Sequence, residues 1–440
     1  MSAFLSRVRG TLTWNRVYGA TSYVKSALWI VPIVAIAIDL LVAPVLRALD
    51  AWLGWDLTSL DVEGATALFQ TVITLTLSFL VFTFGSLLVA IQVASGQLTP
   101  RIIATTLLRD NVVRYSVGLF VFTLVLTVTA LNRMHHHVNQ VAAFAIILLG
   151  IANMAAFLFL IDYAARLLRP VSIVSRVGGS GLRVIEKMYP DPGLDGDEPD
   201  APGDLGSARR IVMHDGLSRI VVAVDVATLL AQARRTGGVV ELAPQIGDFL
   251  AFGEPLFYLY RGAGDIGNEI LECAVALGPE RTLEQDPMFA FRILVDIALK
   301  ALSPAINDPT TAVLAMDQVH RLLRIVGQRR LHSDAIRDDE GTARVIMRTP
   351  AWEDFVHVSC VEVRACGANS VQIARRLRAM LEDLLRLLPA HRHPALSDQL
   401  DLLDRAIEPL YPLAADLALA RGSDVQGLGG SPRLPTRASR

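Results

Sequence analysis

The stretch GATALFQTVITLTLSFLVFTFGSLLVAIQV, from Gly64 to Val93, carries no Asp, Glu, Lys or Arg. At about 1.5 Å per residue one helix of this length runs about 45 Å. That exceeds the roughly 30 Å hydrocarbon core of a bilayer, so the segment is expected to span it with tilt or to protrude at one end. Three more apolar runs, at 27–46, 112–131 and 141–165, each reach the length of about 20 residues that a crossing requires. The 52% hydrophobic content of the 440 residues therefore conceals two populations. The first third is membrane-like, and the remainder has the composition of a water-soluble domain. The expected fold class is membrane α-helical, with four transmembrane helices, plus a cytosolic α+β C-terminal domain.

Charge sets an expected orientation. Arg7, Arg9, Arg16 and Lys25 precede the first run, whereas the loop after it carries Asp50, Asp56, Asp61 and Glu63. Arg101, Arg109 and Arg114 lie between the second and third runs. Arg166, Arg169, Arg176, Arg183 and Lys187 follow the fourth. Basic residues collect on the cytoplasmic side, which predicts an inner-membrane protein with both termini in the cytoplasm. Arg47 is the exception and is expected to snorkel outward. No small-residue cleavage site follows the first run, so it is read as a retained span.

Within the second run Gly64, Thr71, Ser78, Gly85 and Gln92 recur every seventh residue and share one helix face. Thr71, Ser78, Gly85 and Gln92 are candidate pore-lining residues. The competing reading is close helix packing, which small residues permit. Asp39 lies inside the first run and is a candidate intramembrane acid, because a carboxylate at that depth is costly. Asp162 and Arg166 have the spacing of an i,i+4 ion pair. His135, His136 and His137 are adjacent on a short loop and cannot all converge on one ion from one chain.

The expected organisation runs as follows: a cytoplasmic segment 1–26, the four-helix domain 27–169, a membrane-proximal helix 170–189, an acidic disordered linker 190–208, a cytosolic domain 209–420 and a disordered tail 421–440. Within the cytosolic domain 211–260 reads as β-rich, and 286–328 and 370–420 as helical. The phrase ELAPQIGDFLAFGEPLFYLY at 241–260 is similar to the hairpin of lipoyl-like and barrel-sandwich domains. It contains no Lys, so no lipoyl or biotin attachment is inferred. Residues 355–363 alternate like a strand but also suit a helix.

Asp286-Pro287 and Asp308-Pro309 are helix starts, an N-cap followed by proline in the first turn. They predict two helices joined by a stiff SPAIND connection. Ser303, Asn307 and Asp308 form a candidate ligand or interface corner. The alternative is that Asp308 caps its helix and Asn307 serves the loop backbone. Asp317 and His320 stand one turn apart, but the expected pairing is Asp317 with Arg321 on the surface. Cys273, Cys360 and Cys366 lack the paired spacing of a disulfide framework or zinc site.

The phrases ALSPAINDPTTA at 301–312, RILVDIALK before it, and QVASGQLTPRII at 92–103 together resemble a bacterial family of predicted membrane proteins, domain of unknown function family 2254. The resemblance extends from the first run to about Pro412. It implies a polytopic inner-membrane protein with a cytosolic C-terminal domain, and it carries no activity, cofactor or catalytic residue.

Three functions follow as expectations. The first is a homo-oligomeric channel-like protein with a cytosolic gate or vestibule. The second is a membrane-anchored sensor or scaffold that binds a ligand or partner at the SPAINDP corner. The third is a membrane enzyme, for which no nucleophile–base pair, phosphate loop or dense ligand cluster speaks. The expected partners are the lipid bilayer, further copies of the chain, and an ion or small ligand. The net charge of −2 gives no reason to expect nucleic acid. No cofactor, metal or catalytic residue is assigned.

Overall fold

The computed structural model describes residues 13–27, 29–54, 58, 60–97, 110–134, 138–167, 169–192, 204–331 and 334–430. It divides into two compact units, Ser22–Gly96 with Pro100–Ile173, and Met1–Thr21 with Gln97–Thr99 and Val174–Arg440.

Helix α1 is Trp14–Ser26. The membrane unit is then built from α2 (Ile30–Leu53), α3 (Val62–Gln97), α4 (Asn111–Asn132) and α5 (Gln140–Leu167). Each is long and apolar enough to cross a membrane. Large apolar side chains point away from the bundle. Leu41 is 71% and Val81 66% exposed, as lipid-facing residues are expected to be. Helices α2 and α4 run parallel in close contact. A Cβ on Gly118 would lie 2.5 Å from Val31 Cγ1, and eleven residues further along α4 Thr129 reaches Asp39. Only glycine admits that first approach. Phe79 of α3 stacks on Phe157 of α5 at 4.2 Å and packs with Val117 and Phe120 of α4. Asp110 caps α4 by accepting from the Val112 and Val113 amides, and Tyr163 of α5 donates to its other oxygen at 2.6 Å.

In the other unit, which takes the chain from Val174, α6 (Pro170–Met188) presents Gly178 and Gly181 to Gln318, Ala290 and Leu322. The β-rich part holds β1 (Arg210–Met213), β2 (Arg219–Val224), α7 (Val226–Thr236), β3 (Val239–Leu242), β4 (Phe249–Leu250), β5 (Pro255–Tyr260), α8 (Asn268–Cys273) and β6 (Val275–Gly278). Later in the chain β7 (Ala335–Arg337) and β8 (Ala343–Met347) complete a five-stranded sheet of order β1-β5-β3-β8-β7. A second sheet has order β4-β2-β6. Val221, Leu229, Val240, Phe257 and Leu259 fill the core they share. The lipoyl-like hairpin is altered in one respect. β3 and β5 pair antiparallel as such a hairpin would, but β4, lying between them in sequence, joins the other sheet. Gly247 (φ 94°) and Gly253 (φ 80°) make the turns that redirect it.

The helical part comprises α9 (Pro287–Leu302), α10 (Pro309–Val326), α11 (Trp352–Gly367), α12 (Val371–Leu387), α13 (His393–Ile407) and α14 (Ala414–Ala420). Residues 355–363 lie in α11. Phe355, Val356, Ser359, Cys360 and Val363 are its buried side, at helical spacing, which decides between the two readings.

The disordered tail expected from 421 needs correction as far as Gly430. Arg375 of α12 donates to the Gly422 and Gly430 carbonyls at 3.1 and 2.7 Å. Asp424 accepts from the Gln426, Gly427 and Gly429 amides. Backbone hydrogen bonding, not apolar burial, holds this strap, so its composition did not announce it. Residues 431–440 and most of the acidic linker, 193–203, lie outside the described residues.

Candidate functional site

The candidate residues of α3 all stand on one outward side. Thr71, Ser78, Gly85 and Gln92 are exposed, as are Gln70 and Thr74 beside them. The opposite side, with Ala65, Phe69, Val72, Thr76, Phe79 and Thr83, is buried in the bundle. The Thr71, Thr74 and Ser78 hydroxyls donate to the carbonyls of Ala67, Gln70 and Thr74, each at 2.8 Å. Their donors are thus satisfied within the helix, while the oxygens remain free to accept a further bond. Open space surrounds the missing Cβ of Gly85. Gly85 also borders a groove of about 540 Å³ between α3 and α5, walled by Phe82, Val89, Phe157 and Leu160.

Asp39 is 1% exposed within the membrane unit. Its Oδ2 accepts from Thr129 Oγ1 at 3.4 Å, and its Oδ1 has no hydrogen-bond partner among the described residues. Asp162 and Arg166 form the expected ion pair, exposed on α5. Arg47 turns back and donates from Nε to the Ala43 carbonyl at 3.2 Å. His135–His137, Arg101 and Arg109 lie outside the described residues.

One polar cluster in the bundle escaped sequence reading. Asn153 Nδ2 of α5 donates to Thr76 Oγ1 of α3 at 3.1 Å, and its Oδ1 accepts from Thr123 Oγ1 of α4 at 3.3 Å. The cue was present as a lone Asn within an apolar run, since an amide in lipid must find partners.

The corner at 303–308 is bound up in its own structure. Asp308 Oδ1 accepts from the Thr311 amide at 3.0 Å and Oδ2 from its hydroxyl at 2.5 Å. Ser303 Oγ donates to the Lys300 carbonyl at 2.6 Å, and the Asn307 and Asp308 amides close the turn onto Ser303 and Ala301. Asn307 adopts φ 48°, a left-handed conformation, and its side chain is exposed. Of the three candidates, the structure commits Ser303 and Asp308 to the turn.

The expected Asp317–Arg321 pair is replaced by a longer-range one. Arg376 of α12 binds Asp317 Oδ1 at 2.8 Å and donates to His320 Nδ1 at 3.1 Å. His320 Nε2 meets Asp383 Oδ2 at 2.9 Å. Burial, and then the neighbouring Arg376 charge, hold His320 below the ordinary imidazole range. Both ring nitrogens are therefore engaged in tying α10 to α12. No group of three or more His, Cys, Asp or Glu side chains that could hold a metal ion occurs among the described residues.

Asp286, the N-cap of α9, is 4% exposed and accepts from the Phe289 amide at 3.0 Å. Burial pushes its carboxyl up to about 6, against the pull of Arg281 at 3.5 Å. Burial likewise pushes the Cys360 thiol up to about 12, whereas Cys366 is exposed.

The comparisons agree with the spans. The chain is 25% identical over 437 residues to uncharacterized proteins of Mycobacterium bovis and Mycobacterium tuberculosis, covering 94% of this chain and 83% of each relative. No solved structure matches. The profile of the family described as "Predicted membrane protein (DUF2254)" matches residues 25–383, from the end of α1 into α12. The chain belongs to that family.

Proposed function

We propose that the protein is a homo-oligomeric, channel-like protein of the cytoplasmic membrane. The outward side of α3 from each copy lines a shared path, and the soluble unit, on the cytoplasmic side with both termini, acts as gate or vestibule. One observation carries this reading: Thr71, Ser78, Gly85 and Gln92, with Gln70 and Thr74, face away from the bundle. In a lone copy these small and polar groups would meet lipid tails. In a closed ring of copies they gain either close helix contact or water. Four helices are few for a self-contained transporter and sufficient when several copies share one axis. The Arg and Lys distribution supports the orientation.

Purified full-length protein in liposomes tests the reading. Ion flux under voltage, membrane tension or osmotic shock is expected, and Ser78→Leu should reduce it. Absence of flux under all three conditions removes the channel.

The alternative, a membrane-anchored sensor or scaffold, has one observation in its favour. Asn307 is exposed in a left-handed conformation while Ser303 and Asp308 hold it in place. A partner captured by the full-length protein, lost on Asn307→Ala and retained on Ser78→Leu, would select that reading.

A further inference from the structure

We propose that Asp39 is a proton-binding site of the membrane unit, reached through a small cavity at the Thr129–Arg133 end of the bundle. The proposal stands independently of what α3 lines.

Three observations meet there. Asp39 is 1% exposed, so its carboxyl group is removed from bulk water. Its two oxygens are unequal: Oδ2 accepts from Thr129 Oγ1 at 3.4 Å, and Oδ1 has no hydrogen-bond partner among the described residues. Thr129 also borders a cavity of about 80 Å³ whose other polar walls are Arg47, Arg133 and Asn139. A cavity of that size with these polar groups in its wall has room for water. Thr129 therefore borders both the buried carboxyl group and that space.

The surrounding charges fit a group that changes its own. Arg133, the C-cap of α4 four residues beyond Thr129, walls the same cavity. From α2 itself come Arg47 and Asp50, the latter engaged by the Val141 amide at 3.1 Å. Phe69 of α3 adds an apolar wall, and Asn139 at the start of α5 an amide. A neutral acid at Asp39 places its hydrogen on Oδ1, the oxygen with no donor, and keeps Oδ2 for Thr129. Hydronium supplies that proton and returns to water, and O–H is the only bond formed. A metal cation suits the site poorly. Hard cations take about six oxygen ligands, and here one carboxyl group and one hydroxyl converge.

Infrared spectroscopy of the full-length protein in nanodiscs tests this, titrated from about pH 5 to about pH 10 across the carboxyl and phenol ranges. The expected result is a protonated-carboxyl C=O band at low pH that disappears at high pH and is absent from Asp39→Asn. Thr129→Val keeps the carboxyl group and the packing, so it should retain the band at a shifted frequency. That variant keeps the test decisive if Asp39→Asn does not fold. Dicyclohexylcarbodiimide, which attacks protonated carboxyl groups from the lipid phase, should modify Asp39 at the pH values where the band is present and lose that reaction where the band is gone. A band unchanged by both substitutions, or its absence at every pH, overturns the proposal. Loss of liposome flux in the channel assay leaves these readouts unaffected.

Discussion

Asn153 and Thr76 meet at 3.1 Å inside the membrane unit, and the same amide accepts from Thr123. One side chain of α5 thereby fixes the rotation of both α3 and α4. That rotation turns Thr76 inward and Ser78, two residues on, outward.

Removing the bridge should loosen the bundle. Asn153→Leu is expected to cost about 1 kcal/mol, since interhelical hydrogen bonds in membranes contribute about 0.6 to 2 kcal/mol. Thermal unfolding in detergent measures it. An unchanged midpoint would mean that the amide orients nothing.

Asp286 sets a pH dependence in the C-terminal unit. Its folded value of about 6 lies above the ordinary aspartate value, so between about pH 4 and pH 6 the folded state holds more protons than the unfolded state. Its contribution to stability is therefore full below about pH 4 and is lost as pH rises through about 6. Asp286→Asn retains a cap acceptor for Phe289 and removes the buried charge. It should flatten that decline and raise stability at pH 7 by on the order of 1 to 3 kcal/mol. Denaturant unfolding at several pH values checks the slope, and a decline equally steep in Asp286→Asn would contradict the assignment.

At the corner, Asn307 bears the strain of φ 48° and Asp308 the cap. Asn307→Gly should be neutral or stabilising by up to about 1 kcal/mol, because glycine adopts this conformation freely. Asp308→Ala should destabilise by about 1 kcal/mol. Comparison of the two unfolding midpoints decides whether the corner is mainly structural.

The cysteines report on topology. A membrane-impermeant maleimide should label exposed Cys366 and leave Cys360 unreacted, since Cys360 is buried with its thiol pushed up to about 12. With the soluble unit in the cytoplasm, Cys366 reacts in inverted membrane vesicles and is protected in intact cells. Labelling in intact cells would reverse the proposed orientation.

The spans were legible because lipid demands long uncharged runs, and the corner because Asp-Pro starts a helix for local reasons. Both signals lie within a few neighbouring residues. The contacts that escaped are long-range. Asp317 has a suitable Arg four residues on, yet it pairs with Arg376 across two helices, because packing α12 on α10 buries that guanidinium. The strap over α12 is held through backbone groups, which residue type does not encode. The seventh-residue row on α3 was visible as a periodicity, but only the burial of the opposite side established which way it faces.

In the proposed assembly the outward side of α3 meets its counterpart in another copy. Disulfide cross-linking in native membranes measures this most directly, using full-length protein with Cys273, Cys360 and Cys366 replaced and single cysteines introduced at Thr71, Ser78 or Gly85. Covalent dimers are expected from these positions and not from Ile151→Cys, at a site 63% exposed on α5. Uncross-linked chains at all three α3 positions, or dimers formed only through Ile151→Cys, would contradict that assembly.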